Sequence, residues 1–243
     1  VIIPENKSTL LKNDLAILNI IAANKWKRPI CFTAPYTASE LGFSNYVRKD
    51  GMTYRLVPVA NNSGFNTDWM VDKLRTKFGF GSADIKGVYF DEQNRLHLNI
   101  IRAAYADGAA SLADQNRKDE AKQLLDMADK GILEVNMPYA MVSKNNQHNY
   151  FNFKFLEAAY KAGHKDLADK VSKELHKDFD QQIKYYSQLP ERKQEAMRSE
   201  ISGAQQLLQM LEMLDKNYKG GSTIQPSLET PALVPQTPDS VIK

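Results

Sequence analysis

The sequence predicts an α+β protein in which a small mixed α/β subdomain, residues 1–94, precedes an α-helical array over residues 95–218. Three observations carry this prediction. Short segments of strand composition, punctuated by proline and glycine, are confined to the first part. From Arg95 onward the apolar residues recur at helical spacing with few breaks. Two consecutive helix pairs in this second part also start and turn alike, which points to repetition of one unit.

Taken in order, Leu11, Leu15, Leu18 and Ala22 share one face of a first helix, and Ile17, Ile20 and Ile21 widen its apolar surface. Such a helix is expected to be buried on more than one side. Pro29 ends it, because a proline ring pushes the preceding residue out of the α region. Ile30-Cys31-Phe32-Thr33 then reads as a strand, and Met52 to Val59 as a second, with Pro58 placing its end at an edge or bulge. Thr67-Asp68 is a suitable N-cap for a short helix through Phe78. Val88-Tyr89-Phe90 reads as a third strand closed by the turn Asp91-Glu92-Gln93-Asn94.

In the second part, helices are expected over 96–113, 118–130, 149–162 and 165–186, and Pro190 suits the first turn of a last long helix to about Tyr218. Lys118-Asp119-Glu120-Ala121 and Lys165-Asp166-Leu167-Ala168 each open the second helix of a pair. Asn116 and Gly163 hold the equivalent turn position, where both residue types tolerate a left-handed backbone. Tyr105, Leu112, Ala121, Leu125 and Ala128 fit the alternation of small and large residues in a tetratricopeptide helix pair, although the copies lie further apart than that family's ~34-residue period. Residues 219–243, with Gly220-Gly221-Ser222 and four prolines, are expected to be a flexible tail.

The bulk numbers exclude several functional classes. A net charge of +3 from 32 basic and 29 acidic residues, interspersed along the chain, lacks the concentrated basic footprint of a nucleic-acid binder. No apolar run approaches the roughly 18 residues of a membrane span, and no signal peptide opens the chain. The first residue is Val1, so the chain reads as a processed product or a piece of something longer. One cysteine makes no internal disulfide.

Recognisable chemistry is sparse. Gly79-Phe80-Gly81 lacks the third glycine of a dinucleotide loop and the lysine of a phosphate loop. His97, His148, His164 and His176 are scattered, so neither a metal site nor a cofactor is expected. His164 reads as a turn residue and His97 as a helix-start residue. Cys31, between Ile30 and Phe32, is expected to be a buried, inert thiol, although Lys27 and Arg28 are near enough in sequence to activate one. Two clusters are candidate binding surfaces. Trp26, Arg28, Tyr54, Arg55 and Trp69 offer aromatic faces and guanidiniums for a carbohydrate or an anion, or else pin helix ends and cover apolar edges. Tyr150, Phe153, Glu157 and Tyr160 fall at i, i+3, i+7 and i+10 on one helix face, which either lines a concave groove for an extended peptide or packs into the core. Ala103, Ala106, Ala110 and Ala113 hold the matching positions of the first copy, leaving room for a ligand or for close helix packing.

Three stretches also carry a resemblance: Asn13-Asp14-Leu15-Ala16-Ile17-Leu18, then Asn24-Lys25-Trp26-Lys27-Arg28-Pro29-Ile30, then Gly51-Met52-Thr53-Tyr54-Arg55-Leu56-Val57-Pro58. In this order they resemble the C-terminal region of a family of large bacterial multi-spanning membrane proteins, a domain of unknown function similar to protein O-mannosyltransferases. An animal member is a lumenal O-mannosyltransferase. The resemblance spans residues 5 to 190 and implies a GT-C type membrane glycosyltransferase, whose soluble extracytoplasmic part carries tetratricopeptide-like helices. It implies that the catalytic acid belongs to the membrane part, so no catalytic residue transfers to this chain. An aromatic residue in relatives at the position of Cys31 weakens the nucleophile reading further. The expected function is therefore a non-catalytic module on the periplasmic face. It would cap the membrane domain of its own parent chain and hold a polypeptide acceptor. The alternatives are a free periplasmic tetratricopeptide-like adaptor and, third, a small stand-alone hydrolase or transferase built on the α/β half.

Overall fold

The structure, a computed structural model, describes residues 7, 9–60 and 65–219; the expected tail from residue 220 onward lies outside the described residues. Its elements are α1 (Lys12–Asn24), β1 (Cys31–Phe32), α2 (Pro35–Glu40), β2 (Val47–Asp50), β3 (Thr53–Leu56), α3 (Thr67–Thr76), α4 (Glu92–Asp114), α5 (Lys118–Gly131), α6 (Gln147–Ala162), α7 (Lys165–Ser187), α8 (Glu191–Ala196) and α9 (Arg198–Lys219). The architecture is α+β.

The sheet is a three-stranded antiparallel sheet in the order β1-β3-β2. β2 and β3 form a hairpin around Asp50-Gly51, and Gly51 supplies the positive φ of +67° that this turn requires. Alternation places Phe32, Tyr54 and Leu56 on the face that packs with α1 and α2, and Cys31, Arg55 and Arg48 on the other face. The sheet is tied to the helices at its turn, where the Gly51 amide donates to Met70 Sδ at 3.0 Å, and through an ion pair from Lys49 to Asp107 of α4. No strand forms at Val88-Tyr89-Phe90: Tyr89 is 83 % exposed while Phe90 is buried in a small cluster with Ala83, Leu98, Ile132 and Met137. Asp91, read as part of a turn, instead caps α4 by accepting from the Asn94 amide at 2.8 Å. The cap of α3 is likewise Asn66, one residue earlier than expected, accepting from the Trp69 amide.

The helix pairs α4/α5 and α6/α7 turn identically. Asn116 (φ 62°) and Gly163 (φ 70°) are both left-handed. Arg117 N donates to Leu112 O and His164 N to Ala159 O, both at 2.9 Å. These are the same six-to-one closure of a helix end, which satisfies carbonyls the helix leaves open. Tyr105, Leu112, Ala121, Leu125 and Ala128 are all fully buried in the main core, with Phe153, Phe155 and Phe179. Met70, Val71 and Leu74 of α3 also belong to this core, and Tyr105 Oη donates to Leu74 O at 2.8 Å. Although α3 lies within residues 1–94, it packs as part of the helical half. The last long helix expected from Pro190 is broken at Met197 into α8 and α9.

The first helix departs from its expectation. Among its residues only Asp14 is buried, and Leu15 and Ile20 are 48 % and 58 % exposed. Ile17, Leu18 and Ile21 pack against the small cluster of Phe32, Ala38, Leu41, Phe43 and Leu56, so α1 is buried on one side alone. Cys31 is also exposed rather than buried, because its strand has one covered face and Cys31 is on the other.

Candidate functional site

The aromatic and basic residues of the first half are distributed over the turn after α1, the strand β3 and the helix α3. Tyr54 and Arg55 are neighbours on β3 and therefore lie on opposite faces, Tyr54 packing against the small core and Arg55 reaching to 3.8 Å from Asp50. Asp50 is nearly buried and accepts a two-pronged contact from Arg48 at 2.8 and 2.9 Å. Trp69 is on α3, 39 % exposed, with Lys73 5.8 Å from its ring. Trp26 and Arg28 lie in the turn after α1, both exposed.

The candidate groove divides. Phe153 is 2 % exposed and belongs to the core. Tyr160 is committed to α9: its hydroxyl donates to Asp215 Oδ1 at 2.6 Å, and its ring stacks on Tyr218 with centroids 5.0 Å apart. Ala103 and Ala106 are buried and Ala110 and Ala113 half-buried against the core, so the small residues of α4 serve close helix packing. What remains available on α6 is Tyr150 and Glu157. The Tyr150 hydroxyl is buried without a hydrogen-bond partner, and Lys154 sits 5.4 Å from its ring. Burial raises the Glu157 carboxyl above its ordinary value against the opposing pull of Lys161, which lies 3.7 Å away. The Glu157 carboxylate, partly exposed, can accept a peptide N–H, whereas the Tyr150 hydroxyl is closed to solvent and offers only its ring.

Two polar networks went unread in the sequence. In the first, Arg102 of α4 is fully buried, donating to Asn152 Oδ1 at 2.7 Å and to the Met137 carbonyl at 3.0 Å, and lying 4.4 Å from the ring centroid of Tyr139. Tyr139 Oη donates to Asp129, which also takes the Lys170 ammonium at 2.8 Å. His148 Nε2 lies 2.8 Å from the Pro138 carbonyl and Nδ1 lies 3.0 Å from Asn99 Nδ2. A carbonyl accepts and does not donate, so Nε2 carries the proton and Nδ1 accepts from Asn99. The signal was present as polar residues at helical spacing, Asn99 and Arg102 on α4, His148 and Asn152 on α6, but nothing in sequence distinguishes such a stripe from a solvated face.

In the second network, Asp215 of α9 accepts from Tyr160, Ser172 and His176. Burial alone would raise its carboxyl; the three hydrogen bonds outweigh that and hold it below the usual value. Ser172 and His176 both address the carboxylate, whereas a serine nucleophile needs the imidazole on its own hydroxyl. The cluster staples α9 to α6 and α7. Among the described residues no grouping of three or more His, Cys, Asp or Glu is placed to hold a metal ion.

Comparison with known proteins bears on the first half. Residues 1–74 match the family model described as TMEM260-associated domain 2. That is a domain tied to a membrane protein family, and its extent takes in all three stretches that carry the resemblance. No curated protein and no solved structure matches the chain. Among the described residues no helix is long and apolar enough to cross a membrane.

Proposed function

We propose that the chain is a non-catalytic, extracytoplasmic C-terminal module of a membrane glycosyltransferase-like protein, and that its helical array docks a polypeptide acceptor. The observation that carries this reading is the match of residues 1–74 to a membrane-protein-associated domain in a chain whose described helices include no span. The glycosyltransferase type and the periplasmic side rest on the resemblance alone. Docking rests on Tyr150 and Glu157, the two groove residues that neither belong to the main core nor are tied to α9, and both are partly exposed.

The test is binding of a fluorescently labelled serine- and threonine-rich peptide to the chain and to a Tyr150→Ala/Glu157→Gln variant. The expected result is a loss of about tenfold or more in affinity, the scale of one or two interface anchors, with a nearly unchanged thermal midpoint. Equal affinity in both proteins counts against docking on α6. A complete reading frame that encodes a short protein with its own signal peptide and no upstream hydrophobic segments would favour the free periplasmic adaptor instead.

A further inference from the structure

The face of α1 turned away from the small core carries exposed apolar side chains that no described residue covers. Asp14, Ile17 and Ile21 mark the inward side. The opposite side carries Leu15, Ala16, Ile20 and Ala23, all exposed, and is interrupted by Lys12, Asn13 and Asn19. Leu11, the residue before the helix, extends it and is 59 % exposed. A soluble helix with one packed face places polar residues on the other; here the outer face also exposes Leu15 and Ile20 among its polar residues.

The ends of this face carry a definite charge. Lys12 stands at the start, and Lys25, Lys27 and Arg28 follow the helix, all exposed. The one acidic residue of α1, Asp14, is turned inward, accepting from the Leu11 amide at 2.8 Å and pairing with Lys7 at 2.9 Å. Between the basic residues Trp26 projects outward, 54 % exposed.

Trp26 is held there at a conformational cost. Lys25 (φ 49°) and Trp26 (φ 59°) are consecutive left-handed residues, a backbone that side chains with a Cβ resist. Asn24 maintains it by bracketing the turn: its Nδ2 donates to Arg28 O at 2.7 Å, and its Oδ1 accepts from Arg28 N at 3.0 Å. The turn thus presents an indole among cations at the end of an apolar face.

We infer that this face lies on an anionic lipid surface, with α1 parallel to the bilayer plane, Trp26 at headgroup depth, and Lys12, Lys25, Lys27 and Arg28 among the lipid phosphates. An apolar helix face seated at the acyl boundary, with lysine and arginine meeting anionic headgroups and a tryptophan at the interface, is how amphipathic helices hold to membranes. The charge selects the occupant. A protein partner needs matching acidic groups at particular points, whereas basic residues at both ends of the helix match a uniformly anionic plane. The inference stands on the geometry of α1 and is independent of the peptide-docking reading.

The experiment measures partition of the whole chain onto phosphatidylcholine vesicles with and without about one-third phosphatidylglycerol, a content that gives a strongly negative surface. Sedimentation gives the partition, and Trp26 emission, read in a Trp69→Phe background, gives the depth. Expected are binding to the anionic vesicles, a blue shift of Trp26, and weakening by added salt. Leu15→Ser/Ile20→Ser and, separately, Lys25→Glu/Lys27→Glu should each reduce partition by about tenfold or more. All four positions are exposed, so circular dichroism should report unchanged folding. Failure of the chain to bind anionic vesicles, or binding that survives both double variants, overturns the inference. Capture by the membrane region of a parent protein without binding to protein-free vesicles also overturns it, since the face would then be a protein interface.

Discussion

Lowering the pH from 7 to 5 should cost this protein stability through one residue, His148. It is 2 % exposed at the start of α6, and burial pulls its imidazole down from 6.5 to about 4. The positive charges of Arg102 and Arg95 act in the same direction, and the Pro138 carbonyl partly opposes them. Protonation would also place an N–H on Nδ1 against the amide of Asn99, donor against donor. The sign follows from proton counting. Between these two values the unfolded chain binds a proton that the folded chain does not, so stability falls as the pH drops through this window. The full difference is about 3 kcal/mol, of which about 2 kcal/mol is lost between pH 7 and pH 5. Urea denaturation at pH 7, 6 and 5 measures it, with His148→Gln as the comparison. The variant starts from a lower stability, yet its pH dependence should be flatter by about 2 kcal/mol over that range. Subtracting one curve from the other isolates the His148 contribution. Parallel curves for the two proteins would refute the reasoning and mean that His148 is no harder to protonate folded than unfolded.

Two further substitutions probe the polar networks. Arg102→Met leaves Asn152 Oδ1 and the Met137 carbonyl without their donor, while the Pro138 carbonyl keeps His148; a loss of about 2–5 kcal/mol is expected in chemical denaturation, and a loss under 1 kcal/mol would show that the loop re-pairs without it. Asp215→Asn removes the charge that Tyr160, Ser172 and His176 share, with an expected cost of about 1.5–3 kcal/mol. Amide exchange in α9 should accelerate more than in α4. Because the Asp215 carboxyl is held below its usual value, its contribution is complete above the ordinary carboxylate range and is lost as the pH falls through the folded value.

Much of the helical half could be read from sequence because its signals are local. Asn116 and Gly163 both adopted the left-handed turn expected of them, and α5 and α7 begin at Lys118 and Lys165. Where pairing or partnership decides, sequence was weaker. Val88-Tyr89-Phe90 has strand composition but no adjacent strand to bond to, and β2, Val-Arg-Lys-Asp, looks like a loop until paired with β3. The Asp50-Gly51 dipeptide is a hairpin signal that could have located it. Periodicity identified the apolar surface of α1 but cannot say whether both sides find a partner within the chain, and among the described residues only one does. The groove was half legible for the same reason. Spacing aligned Tyr150, Phe153, Glu157 and Tyr160, yet Tyr160 is claimed by α9, which arrives from far along the chain.

The departure from a regular repeat has a physical cause visible in the Arg102 network. α5 ends at Gly131 and α6 begins at Gln147, so residues 132–146 form a connection much longer than the tight turns inside each helix pair. A segment this long that packs inward brings backbone carbonyls with no ladder to satisfy them. The carbonyls of Met137 and Pro138 are met by Arg102 and His148, the Met141 amide is met by Asn149 Oδ1, and Tyr139 reaches Asp129. A buried arginine, a neutral histidine and three asparagines are costly to bury singly; the loop supplies partners to Arg102, His148 and Asn149, and Asn99 and Asn152 are met by His148 and Arg102. The same residues that look like polar errors on the inner faces of α4 and α6 are therefore what allows the spacing between the two helix pairs to exceed the regular period. Shortening the connection to a tight turn without replacing Arg102 and His148 should thus destabilise the array, since these donors would remain buried after the Met137 and Pro138 carbonyls were gone.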